Sequence, residues 1–292
     1  MNGIGRAWGA ITFLNALFTG TGSAMAIDLP VEARIEVHPA RPGAGRIDLD
    51  PSIDTPLVRR SIERGVERGM GREPVEARLE LRSAIPWAKG LKSSSAIPVA
   101  IARACSGCFG APISDAEAAR FASEVGISVG LSATGAFDDA YASAAGGIVV
   151  TDNRDCRILR HDEPNPDWTT VLWVPRGTHP PSPSVADRFR ARGQGVESLA
   201  RSVSEGRYLA TMERNSALVE ELLGYAYGDL RTDLGRRGAL SSGVSGLGPS
   251  LAAVVPKGAA GAVARALPPS VGDVIVAGIA APPRTGSTRG AG

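Results

Sequence analysis

Pro86-Trp87-Ala88-Lys89-Gly90-Leu91-Lys92-Ser93-Ser94-Ser95-Ala96 is the stretch on which the reading of this chain turns. Upstream, 77–84 alternates with Ala77, Leu79 and Leu81 on one side, which predicts a strand. Downstream, small residues from Ala96 to about Ala104 predict a helix. Its Pro98 would then fall in the first turn, where N–H groups have no intrahelical partner. A loop of small residues ending at a helix N-terminus presents backbone N–H groups and the positive end of the helix dipole, which suits phosphate. Gly90 permits close backbone approach. Ser93, Ser94 and Ser95 supply hydroxyl donors or a magnesium ligand, and Lys89 and Lys92 add positive charge. Leu91 stands where a Walker A loop needs glycine before its lysine, so this is not a P-loop. A serine-rich helix cap gives the same local pattern.

Two further stretches point the same way. Ser245-Gly246-Leu247-Gly248-Pro249-Ser250 is a tight glycine turn ahead of an apolar run at 251–255. Thr134-Gly135-Ala136-Phe137-Asp138-Asp139-Ala140 opens a helix with adjacent acids. These are either caps favoured by the helix dipole or carboxylates placed to take a hydroxyl proton or hold magnesium.

Around these stretches the chain is ordinary. It has 292 residues, a net charge of +2 and 5% aromatic residues. That balance offers no electrostatic case for nucleic acid or acidic membranes, and few rings for stacking on single strands. Lys89, Lys92 and Lys257 are the three lysines, so two of the three fall in the decisive stretch. Cys105, Cys108 and Cys156 are too few and too uneven for a disulfide framework, which favours a reducing compartment. Cys105 and Cys108 have half-zinc-site spacing without a second pair. None of His38, His161 and His179 has ligand or triad spacing.

Residues 1–26 permit two readings: a secretory leader ending at Ala24-Met25-Ala26, or a strand, a Thr19–Ser23 loop and a second strand. Strand material follows at 27–48. Thr55-Pro56 starts a helix, and Ser114 with Glu117 makes a capping box. Helix over 137–144 gives way to strand at 146–150, then a polar stretch to 167 and a strand at 170–174. A proline connector at 180–183, a helix over 208–223 and a strand at 274–279 complete the pattern. Without strict βαβ alternation this predicts an α+β fold in two lobes.

The decisive stretch resembles the ATP-binding motif of the GHMP kinases, and the Ser245 loop is similar to that superfamily's third motif. Gly90–Ala96, Thr134–Ala140 and Asn15–Ala24 resemble its archaeal-type shikimate kinase branch in particular. The resemblance covers nearly the whole chain and makes residues 1–26 part of the fold. It implies an N-terminal ribosomal-protein-S5-domain-2-like lobe over 1–160, a C-terminal ferredoxin-like lobe over 161–281, and a flexible tail from 282. It implies a cytoplasmic enzyme with no nucleic-acid or membrane partner, which uses ATP and Mg²⁺ to phosphorylate the 3-hydroxyl of shikimate on the route to chorismate and aromatic amino acids. Asp138 is the expected base, with Asp139 second. Pro86 through Ala96, with Ser245, Gly246 and Gly248, would hold the nucleotide, and Ser94 with Glu124 the metal. The sequence departs from the superfamily at Ala10, where many members place Lys or Arg, and at Leu247, where many have a hydroxyl residue. Homoserine kinase, mevalonate kinase and a catalytically silent nucleotide-binding relative are the competing readings.

Overall fold

The computed structural model describes residues 1–177, 184–193 and 195–281; the expected connector at 180–183 and tail at 282–292 lie outside the described residues. Strands β1 (Asn2–Leu14) and β2 (Thr21–Pro39) form a long antiparallel hairpin in a six-stranded sheet, with β2 at its centre and β1 paired to β2 alone. Val31, Ala33, Ile35 and Val37 are buried while Pro30, Arg34 and Glu36 face solvent, the period-2 signature of a sheet covered on one face. Residues 2–26 fold as β1, the turn and the start of β2, the second of the two readings. No described helix is long and apolar enough to cross a membrane.

The other edge of β2 is shared in tandem by β4 (Val75–Ser83) and β5 (Ile148–Asp152). The parallel strand β3 (Arg46–Asp48) extends β4, and β6 (Arg157–Asp162) extends β5. Between β4 and β5 a late segment of the chain closes the gap. Asp28 donates its N–H to Gly278 O, Ala280 to Ala26 O and Gly147 to Ala280 O. Strand β6 lies in what the sequence suggested was an irregular polar stretch. It is polar because it is an exposed edge, where charge discourages further pairing.

Helices α1 (Pro56–Met70), α2 (Ser93–Cys108), α3 (Asp115–Ser128) and α4 (Phe137–Ala145) accompany this sheet, with α2 and α4 packed on β1 and β2. Thr55 caps α1 through its side chain, and Ser114 and Glu117 form the expected capping box on α3. Helix α2 begins at Ser93, earlier than its small-residue run suggested. Pro98 consequently sits in the second turn and cannot donate to the Ser94 carbonyl.

A second, antiparallel sheet has the order β10 (Gly272–Ala277), β7 (Trp168–Pro175), β9 (Leu251–Pro256), β8 (Ser241–Val244). Val171, Trp173, Leu251, Ala253 and Val255 pack on one side; Leu172, Val174, Ala252 and Val254 join the main core on the other. Burial on both faces explains why β7 and β9 read as unbroken apolar runs. Helices α5 (Val185–Arg192), α6 (Glu197–Ser204), α7 (Tyr208–Leu223), α8 (Gly228–Arg236) and α9 (Ala260–Ala266) complete this half. Ser241–Val244 is a strand of small residues because α7 lies against it. A Cβ on Gly243 would stand 3.1 Å from Met212 and Ser216 of α7. The molecule has the two-lobed α+β arrangement expected from the sequence.

Candidate active site

Three stretches far apart in sequence meet beside the start of α2. In the first, Ala88, Gly90 and Lys92 have φ values of 55°, 79° and 70°, so left-handed residues alternate along the loop. Such alternation turns successive N–H groups toward one side and makes an anion-binding concavity that runs into the α2 N-terminus. Gly90 is required twice over, by its φ and by space: a Cβ there would lie 2.2 Å from Ser245 O. The Ser245 hydroxyl donates to Gly90 O at 2.7 Å, and Ser250 N–H to Lys89 O at 3.3 Å. The first and third motifs are thus one wall.

Lys92 joins the second motif to them. Its left-handed backbone carries the side chain across the loop, where Nζ lies 3.1 Å from Asp139 Oδ2, with both side chains largely buried. A Cβ on Gly246 would stand 2.8 Å from the same nitrogen, so that glycine leaves the ammonium its space. Asp139 Oδ1 is buried with no hydrogen-bond partner among the described residues. Lys89, expected beside Lys92, turns the other way. Its ammonium donates to the carbonyls of Pro175 and Gly177 and lines a cavity of about 270 Å³ with Pro86, Trp87, Val174 and Ile275. Trp87 is partly exposed there.

Asp138 is 3% exposed and held at two points by Asn153: the Asn153 amide donates to Oδ1 at 2.7 Å, and its carbonyl accepts the Asp138 N–H at 3.2 Å. Thr151 fixes that amide by donating to the same carbonyl at 2.6 Å. A Cβ on Gly22 would be 2.4 Å from Asp138 Oδ2, so β2 admits the carboxylate only because residue 22 is glycine. Burial, then the neighbouring Asp139 charge, push the Asp138 carboxyl up to about 7, against the pull of Lys92 and Asn153. Such a group can both accept and release a proton near neutrality.

Asn153 and Thr151 escaped the sequence reading, and Gly22, within the Asn15–Ala24 stretch it singled out, was given no role. A polar Thr-Asp-Asn end on the apolar Ile148–Val150 run was the available signal. Thr12 was missed as well, and Asn15 was likewise given no role. The Thr12 hydroxyl accepts the Gly246 N–H at 2.9 Å, and the Asn15 amide donates to Gly246 O at 3.3 Å. Tyr225 and Tyr227, stacked 5.3 Å apart, donate to Leu247 O and Pro249 O from the far side.

Glu124 is not part of this assembly. Helix α3 buries Ala118, Ala119, Phe121, Ala122 and Val125, and its opposite stripe leaves Glu124 exposed in an ion pair with Arg64, 3.0 Å away. Ser94, its expected companion, is the one exposed serine of the three at the helix start. The described residues hold no cluster of three or more His, Cys, Asp or Glu side chains fit to bind a metal unaided. Magnesium on a nucleotide needs less, since phosphate and water oxygens supply most of its shell. The unpartnered Asp139 Oδ1 and the Ser94 hydroxyl fit that smaller requirement.

Residues 57–147 match the family model described as the GHMP kinases N terminal domain. Over 261 residues the chain is 36% identical to a shikimate kinase of Halobacterium salinarum, covering 87% of this chain and 88% of that protein. It is 35% identical to the shikimate kinase of Pyrococcus abyssi over 256 residues, covering 87% and 92%. The mevalonate kinase structure from Methanococcus jannaschii superposes with a TM-score of 0.74 over 96% of this chain and 98% of that one, at 15% identity, a likeness of fold. The nucleotide-type loop, the paired acids and the extent of these identities together place the chain in the GHMP kinase superfamily, within its archaeal-type shikimate kinase family.

Proposed function

We propose that this chain transfers the γ-phosphoryl group of ATP to the 3-hydroxyl of shikimate, giving 3-phosphoshikimate and ADP. The observation that carries the reading is the meeting of Asp139 and Gly246 at the Lys92 ammonium, beside the wall that Gly90 shares with Ser245, in a chain about a third identical to shikimate kinases over most of its length. Phosphoryl transfer asks for positioning and charge neutralisation more than covalent chemistry. The loop from Pro86 to Ala96 would wrap the phosphates with backbone N–H groups, closed over by Ser245, Gly246 and Gly248. Lys92 would oppose charge on the transferring group. It offers from the loop a cation that Ala10 cannot offer from β1, and Ala10 N–H is itself bonded to Leu91 O. Trp87 and the cavity beside it suit the base of the nucleotide, an aromatic plane against an apolar wall.

Asp138 would take the proton of the acceptor hydroxyl as its oxygen attacks phosphorus. Asp139 is the second reading for that role, favoured by its unpartnered Oδ1. Magnesium bound between Ser94, Asp139 and the phosphates would neutralise their charge. The division of the chain near residue 160 into a nucleotide lobe and a second lobe belongs to the same proposal.

Coupled ADP release with shikimate, homoserine and mevalonate as acceptors tests the reading. Turnover on shikimate alone is expected. Turnover on another acceptor would replace the substrate assignment, and ATP binding without turnover on any would replace it with a silent relative. Asp138→Asn should lower kcat by 10²–10⁴-fold with nucleotide affinity retained. Near-normal turnover in that variant, with loss in Asp139→Asn, would move the base to Asp139.

A further inference from the structure

The chain has 29 arginines, and composition cannot say which of them meets an anionic acceptor. The structure narrows the choice. Arg154 directly follows Asn153, the residue that clamps Asp138, and its guanidinium lies over the turn between β1 and β2. Its Nη2 donates to Thr19 O, and a Cβ on Gly20 would stand 2.6 Å from its Nε. Two residues on, the same test at Gly22 meets the Asp138 carboxylate. Asn153 N–H bonds Gly20 O at 2.8 Å, which locks the Asn153–Arg154 backbone to that turn. Glycine at 20 and at 22 thus makes room for a cation and an acid side by side along one strand edge.

Gly20 ends the turn and Gly22 lies in β2, so with the strand residue Thr21 between them their Cα atoms are about 7 Å apart. That is the scale of a six-membered ring carrying a carboxylate and a hydroxyl two carbons apart. Arg154 is exposed and has no carboxylate partner among the described residues. The nearest acid in sequence, Asp152, accepts the Arg154 backbone N–H at 3.1 Å while its carboxylate faces Arg157 at 3.5 Å. With one N–H spent on Thr19 O, the guanidinium keeps four, enough for a bidentate grip on a carboxylate. Thr19 Oγ1, in the same turn, is buried without a hydrogen-bond partner among the described residues.

We infer that Arg154 anchors the carboxylate of the acceptor and so aims its ring hydroxyl at Asp138, making Arg154 a specificity-determining residue. The inference rests on the shikimate reading above and deepens it. Lysine has the charge without the planar fork, so it should replace arginine only in part.

The test compares the full-length protein with Arg154→Ala and Arg154→Lys, on shikimate and on shikimate methyl ester, by coupled ADP release. Arg154→Ala should raise KM for shikimate at least 30-fold with kcat within threefold and KM for ATP unchanged. Arg154→Lys should fall between. The ester, which lacks the anionic group, should show the same KM with wild type and Arg154→Ala. An unchanged shikimate KM in Arg154→Ala would overturn the assignment. So would a fall in kcat alone, the mark of a disturbed Asn153 clamp, or a preference for acid over ester that survives the substitution. Wild type without turnover on shikimate would overturn the underlying substrate reading and the anchor with it. Wild-type turnover with an indifferent Arg154→Ala would overturn the anchor alone.

Discussion

The Gly90 loop and the Ser245 loop form one wall, yet they are built on opposite principles. The Gly90 loop carries its shape in its own backbone, through alternating left-handed residues that run into the first turn of α2. The Ser245 loop is held from outside: Thr12 and Asn15 grip Gly246 from the first hairpin, while Tyr225 and Tyr227 grip Leu247 and Pro249 from beyond α7. The difference teaches where each can be damaged. The first should fail by strain at single positions and the second by gradual loss of distributed bonds.

Gly90→Ala is the sharpest way to break that contrast. It forces a Cβ into the left-handed region and against Ser245 O, so nucleotide affinity should fall more than 100-fold in a titration. The melting transition should show a cost of roughly 1–3 kcal/mol. Loss no greater than for a substitution in the Ser245 loop would erase the distinction.

Asp138, which touches neither loop, provides the reference between them. Burial and Asp139 push its carboxyl up to about 7, so in the proposed role of base its protonation should lower kcat/KM up to tenfold per pH unit below that value, and Asp138→Asn should flatten this limb. The effect on stability has the opposite sense. Between its ordinary 3.8 and about 7 the folded chain holds this proton and the unfolded chain does not, so stability falls as pH rises through that window. The slope is at most about 1.4 kcal/mol per pH unit, and denaturation of Asp138→Asn across the window should lack it.

Smaller effects belong to the Ser245 loop. Ser245→Ala removes one bond to Gly90 O, a loss of about 1 kcal/mol, and should raise KM for ATP about fivefold. Tyr225→Phe removes one of several supports and should raise that KM about two- to threefold by the same assay. If the tyrosine change matched the glycine change, the claim of distributed support would be wrong.

What the sequence made legible follows the same division. The Gly90 loop, the Ser114–Glu117 capping box and the full span of α7 depend on neighbours in sequence, and reading residues in order recovers them. Lys89 and Lys92 could not be told apart that way. Their different destinations follow from backbone dihedrals and from the end of β7, 83 residues beyond Lys92 if counted to Pro175. Asn153 was invisible as the clamp of Asp138 because the pairing needs β5 beside β2 before the two residues can meet. Glu124 stands apart for a plainer reason, since the phase of α3 turns it outward to Arg64.

The strand edge left open between β4 and β5 is filled by residues 278–280, and Ile27 pairs with Ile279 across 252 positions. The β1–β2 hairpin can form from contacts near in sequence, whereas Ala26 O and Asp28 N–H of β2 wait for residues 278–280 to reach them. Removing residues 278–280 would therefore unpair backbone groups of β2, the strand whose Gly22 makes room for Asp138.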